Sequence, residues 1–135
     1  EIVIEKPVIE EPMANESIAL NDLPEEILIV LTDIVHKQMY LNPIFGIADI
    51  SAKFGFNEQK FSMEFNKHLP FTFTTFVNYL RLLHFAEHSD DKFSAEANIR
   101  SAGFNSRASY YQWVKRRPKL DTILPPYLSA ISNRK

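Results

Sequence analysis

The sequence has no cysteine, which excludes a disulfide scaffold, a thiolate zinc site, an iron–sulfur cluster and a cysteine nucleophile. Glycine is scarce, three in 135 residues, which argues against a glycine-rich loop that cradles phosphate. No apolar run approaches the roughly 20 residues that span a bilayer. The first residue is Glu1 rather than Met, and no signal-peptide pattern follows it, so a fragment or processed product of a longer protein is expected. The hydrophobic fraction, 45%, is too high for a wholly disordered chain. The length suits one domain, or two small units sharing a core, without disulfide or metal staples.

A formal net charge of −2 conceals an uneven distribution. Residues 1–22 carry six acids and one base, net −5, and residues 23–98 carry ten acids and six bases, net −4. Residues 99–135 carry eight bases and the single acid Asp121, net +7. A basic end on a small domain points to a polyanionic partner, although a solvated surface with an acidic tail fits the charge equally well.

Residues 1–22 read as an acidic linker, interrupted by Pro7 and Pro12 and self-repelling. Ile2, Val3 and Ile4 are apolar enough to dock against another surface. The remainder reads as all-α, with about seven helices. Asn21 and Asp22 are good N-caps for the first, Pro24 suits its opening turn, and Ile27, Leu28, Leu31, Ile34, Val35 and Met39 recur at helical spacing. Asn42-Pro43 is expected to end it. Further helices are expected over 47–54, 58–69, 73–88, 94–102, 106–117 and 126–132. The fourth carries apolar groups on nearly every face and must be covered on more than one side. A connector between two packed units satisfies that, and so does a single central core helix.

Across that helix runs a degenerate repeat. Phe54-Gly55-Phe56-Asn57 returns as Ala102-Gly103-Phe104-Asn105, 48 positions later. Each copy offers a short helix, a glycine that tolerates positive φ, an Asn at a helix start and a longer helix, the pattern of a helix-turn-helix. Phe61 and Phe65 of the first copy align with Tyr110 and Val114 of the second after one inserted residue. Phe56 and Phe104 are placed to plug the angle between paired helices.

With these motifs, about 95 of the 135 residues, 23–117, resemble the DNA-binding domain of AraC/XylS-type transcription regulators. The likeness rests on Ile47-Ala48-Asp49-Ile50-Ser51-Ala52-Lys53-Phe54-Gly55-Phe56-Asn57, on the stretch Phe65 to Phe73, on Phe76-Val77-Asn78-Tyr79-Leu80-Arg81-Leu82 with Ala86, and on Gly103-Phe104-Asn105-Ser106. It implies a first helix-turn-helix subdomain over 23–72, a connecting helix over 73–90 and a second subdomain over 91–135 with an altered tail. It also implies double-stranded DNA and RNA polymerase as partners, an upstream sensor or dimerisation region, a bacterial cytoplasmic location with any membrane anchor upstream, and no cofactor. Two departures carry expectations. Asn98 stands where the family has an apolar residue, and an unpaired buried Asn costs roughly 1–3 kcal/mol, so that helix is expected to be rotated or partly exposed. The family's glycine-then-proline after the sixth helix is missing, so the C-terminal end is expected to be rebuilt.

In a helix-turn-helix the second helix enters the major groove and its early exposed residues touch bases. That singles out Gln59, Lys60, Ser62 and Met63 in the first unit, with Gln59 suited to adenine and Met63 to a thymine methyl. In the second unit it singles out Arg107, Ala108, Ser109, Tyr111 and Gln112, with Arg107 suited to guanine and Gln112 to adenine. Lys115 and Arg116 are placed to hold phosphate, and Trp113 is expected in the core. The spacing His84–His88 suits a metal, but no HExxH pattern accompanies it, and neither a metal site nor an enzyme is expected. The competing view is a degenerate helix-turn-helix module used for protein–protein interaction or autoinhibition, favoured by the acidic first unit, Asn98 and the altered tail.

Overall fold

The computed structural model describes residues 23–133. Among them are seven α-helices and no strand. Helix α1 spans Glu25–His36, α2 Ile47–Phe54, α3 Glu58–His68, α4 Phe73–His88, α5 Ala95–Ser101, α6 Arg107–Leu120 and α7 Pro125–Ser132, with a short 3-10 turn at Met39–Leu41. The all-helical expectation holds.

Helix α4 is the axis. Its residues Phe76, Val77, Tyr79, Leu80 and Leu82 are buried around its circumference. Helices α3, α5 and α6 and the 3-10 turn all pack against it. Phe65 meets Phe73 at 5.8 Å near its start, and Phe85 meets Tyr110 at 4.6 Å near its end. Because Tyr79 reaches Asp121 while Phe85 reaches Tyr110, α6 runs antiparallel to α4. Helix α7 packs on α1, and its Tyr127 meets Phe71 edge-on at 5.4 Å. Residues read as the tail of the second unit therefore lie against the opening helix of the first.

Three boundaries differ from the sequence expectation. Asn21 and Asp22 lie outside the described residues, and the residue that precedes α1 is Pro24, which makes no side-chain cap. Helix α1 stops at His36 rather than near Asn42, because Gln38 takes a left-handed conformation (φ 51) and the chain tightens into the 3-10 turn. Helix α6 does not stop before Pro118 but continues to Leu120. Proline in a helix removes one backbone bond and crowds the carbonyl four residues back. Here that carbonyl belongs to Val114, on the exposed side, where water can satisfy it.

The repeat survives in the turns and breaks in the caps. Gly55 (φ 75) and Gly103 (φ 100) both take positive φ. Asn57 caps α3, accepting from the Lys60 N–H at 2.9 Å. In the second copy Ser106, not Asn105, caps α6, accepting from the Ser109 N–H at 3.1 Å. That is where the inserted residue goes. The core does not follow that insertion: Trp113 is buried (8% exposed) whereas Val114 is 37% exposed, so Trp113, not the Val114 that the insertion aligns, takes the place of Phe65. Asn98 is half-buried and paired. Its amide accepts from the Asp90 N–H at 3.1 Å and donates to the Asp90 carbonyl at 3.0 Å, fastening the 90–93 loop.

Candidate nucleic-acid interface

The first candidate helix, α3, is fixed by stacked aromatics. Phe56 lies over Phe61 at 4.7 Å, and Phe61 and Phe65 enter the core. The Ser51 hydroxyl donates to the Phe56 carbonyl at 2.5 Å, closing the turn between α2 and α3. Lys53 of α2 reaches Asp33 of α1 at 2.7 Å; the ammonium holds the Asp33 carboxyl below its ordinary range. With Phe61 and Phe65 inward, Gln59 and Met63 (69% exposed) face outward and Lys60 stands exposed beside them. Ser62 is half-buried at the border of this face. Asn66, three residues after Met63, is exposed on the same stripe; it was not among the sequence candidates although its spacing from Gln59 and Ser62 pointed to it. Glu64 and His68 are 3.4 Å apart on the flank.

Ser62 and Asn66 open onto a cavity of about 340 Å³ whose other polar lining includes Thr72, Thr74, Asn78 and Arg81. Arg81 is the structural key of this region. It is 7% exposed and forms no ion pair with a carboxylate among the described residues. Instead Nε donates to the Tyr40 carbonyl at 2.7 Å, one terminal nitrogen to the Asn42 carbonyl at 3.0 Å, and the other to Asn78 Oδ1 at 3.0 Å. Burial lowers its pKa from the ordinary guanidinium value.

The second candidate helix, α6, exposes Arg107, Ala108, Tyr111 (47%), Gln112, Lys115 and Arg116. Their spacing places them on one side, opposite Tyr110, Trp113 and Leu120. Ser109 is half-buried at the edge of this stripe. Arg107 donates a hydrogen bond to the Tyr111 side chain, which raises the Arg107 pKa from its ordinary value. The Arg116 guanidinium lies 4.5 Å over the Trp113 ring, so that Trp113 supports a basic residue rather than presenting itself. Because α6 continues past Pro118, Lys119 falls one turn after Lys115 and extends the stripe. The expected proline stop hid it.

Thr72 lines both the α3-side cavity and a groove along the last turns of α6. The start of α4 thus lies between the Ser62–Asn66 edge of α3 and the basic end of α6. The first turn of α6, with Arg107, lies toward the far end of α4, where Tyr110 meets Phe85.

The histidine pair is less organised for chemistry. The rings of His84 and His88 are 4.2 Å apart, and burial, then the nearby His88, lower the His84 pKa. Among the described residues no group of three or more His, Asp or Glu side chains converges as metal ligands. No helix among them is long and apolar enough to cross a membrane.

No family model, no curated protein and no solved structure matches the chain.

Proposed function

We propose that this chain binds double-stranded DNA sequence-specifically, as the AraC/XylS-type output domain of a larger transcription regulator, through α3 and α6 in successive major grooves. The observation that carries the reading is the face of α6, where Arg107, Gln112, Lys115, Arg116 and Lys119 are all exposed on one helix. Arginine and glutamine are the side chains that pair bidentately with guanine and adenine, and the lysines supply phosphate contacts. Helix α3 offers Gln59, Ser62, Met63 and Asn66 on its outer side, a set suited to base edges rather than phosphate. The proposal includes a bacterial cytoplasmic setting, an upstream sensor or dimerisation region, and RNA polymerase as a further partner.

The test selects duplexes from a random pool and follows binding by fluorescence anisotropy across salt. Affinity should fall steeply with salt as counterions return to the phosphates. Arg107→Ala and Gln59→Ala should each lose about 1–3 kcal/mol and relax selectivity at one base position. Lys115→Ala should weaken all sequences alike and reduce the salt slope by about one. A chain that enriches no sequence, or whose binding ignores Arg107 and Gln59, overturns the reading.

A further inference from the structure

The groove beside α6 has a composition that DNA alone does not explain. It encloses about 510 Å³ between the turn before α4 and the last turns of α6. Its floor is apolar, made by buried Phe71 and Leu120 and half-buried Ile123. Its rim carries Lys115, Arg116 and Lys119. The adjacent Asp121 does not neutralise them, because its carboxylate accepts from the Tyr79 hydroxyl at 2.5 Å and pairs with Arg117 at 3.3 Å. Neither Lys115 nor Lys119 forms an ion pair among the described residues. A phosphate backbone would satisfy the rim and leave the floor uncovered. A peptide with acids set between apolar side chains satisfies both.

We propose that this groove takes the chain's own segment 8–13, Val8-Ile9-Glu10-Glu11-Pro12-Met13, which lies outside the described residues. Charge complementarity favours it: residues 1–22 have net charge −5 and residues 99–135 net +7. The segment places Glu10 and Glu11 between two aliphatic side chains and a proline and methionine. Reach permits it. Helix α1 begins just after Leu23 and packs on α7, whose Tyr127 touches Phe71 on the groove floor. The eleven residues between Glu11 and Leu23 can span up to about 40 Å, against about 18 Å for the whole of α1. Docking itself needs only the groove. Its consequence rests on the DNA-binding reading: the segment covers three phosphate-directed bases and holds the domain in a lower-affinity state.

Zero-length carbodiimide coupling of the full chain, at low protein concentration and without DNA, tests the docking directly. Glu10 or Glu11 should join Lys115 or Lys119 several-fold more often than Lys37, Lys53, Lys60, Lys67 or Lys92, and this preference should disappear at about 0.5 M salt. In a mixture of isotope-labelled and unlabelled chains the joined peptides should come from the same molecule. Val8→Ser/Ile9→Ser keeps every reactive group and should lower the yield several-fold. Even coupling to all lysines, joins between different molecules, or an unchanged yield in the serine variant each overturn the proposal. Glu10→Gln/Glu11→Gln should then tighten DNA binding about fivefold by releasing the covered state. Specific coupling in a chain that binds no DNA would leave the docking standing and remove the DNA-binding reading instead.

Discussion

Replacing Gly103 by alanine separates two roles of a turn glycine that the repeat makes look identical. At Gly103, with φ at +100, an added Cβ would lie 2.4 Å from the Tyr40 carbonyl oxygen and 2.9 Å from Arg81 Nε. At Gly55, with φ at +75, nothing lies within 4 Å. Positive φ alone costs an L residue roughly 1–2 kcal/mol, and both variants bear that. Only Gly103→Ala must also push back a backbone carbonyl and stretch the 2.7 Å Arg81–Tyr40 bond, and a hydrogen bond to a charged group is worth roughly 1.5–3 kcal/mol. The expected losses are therefore about 1–2 kcal/mol for Gly55→Ala and about 3–5 kcal/mol for Gly103→Ala. Urea unfolding followed by circular dichroism measures both, and the difference should appear as a melting temperature lower by roughly 10 °C or more in Gly103→Ala than in Gly55→Ala. Equal losses would refute the claim that Gly103 is required by close approach rather than by turn conformation alone.

Arg81→Met should cost about 3 kcal/mol or more, because the Tyr40 and Asn42 carbonyls and Asn78 Oδ1 each lose a donor in a buried setting; Arg81→Lys, with one point charge for a three-way fork, should recover little of it in the same urea titration. His84 has its folded pKa below the unfolded value near 6.5, so the unfolded chain binds the extra proton first. The corresponding stability is complete above about pH 6.5 and is lost as pH falls toward the folded pKa; His84→Gln should flatten that decline, while Tyr40, Glu87 and His88, which face the ring, remain in place. Under the proposed function, a connector of about 24 Å spans less than the ~34 Å groove repeat, so the duplex should bend toward the protein, which electrophoresis of circularly permuted fragments reads as position-dependent mobility.

The helices were legible where local chemistry decides. The Gly55 and Gly103 turns, the all-round apolar α4 and the outward positions of Gln59, Met63, Arg107, Tyr111 and Gln112 follow from spacing and turn residues. What escaped depends on distant contacts. Nothing local at Arg81 announces that its donors would go to two carbonyls about 40 positions away. Asn98 read as a liability because its partners, the backbone groups of Asp90, are supplied by a loop with no periodic signal. Pro118 read as a stop because the rule describes the backbone bond it removes, not the exposed side on which the lost acceptor falls. The seating of α7 on α1 joins the two ends of the described chain, and no motif encodes such a long-range choice among apolar faces.

The two hairpins share a turn but divide the surface chemistry unequally. Helix α3 carries Glu58 and Glu64 beside Lys60 and Lys67, so its field is nearly cancelled and its outer stripe is largely neutral: Gln59, Ser62, Met63 and Asn66. Helix α6 carries five bases and no acid from Arg107 to Leu120. Association with a polyanion is governed by the summed charge of the approaching face, so α6 would dominate encounter and salt dependence. Helix α3 would contribute through short-range pairing with base edges, which is where neutral amides and hydroxyls discriminate. The keyed contact between Gly103, Tyr40 and Arg81 sets the second hairpin against the first unit; under the proposed function, a base contact made by α3 would then depend on the register set by α6. Loss of Gln59 should therefore alter selectivity far more than the rate of association, and loss of Arg116 or Lys119 should do the reverse.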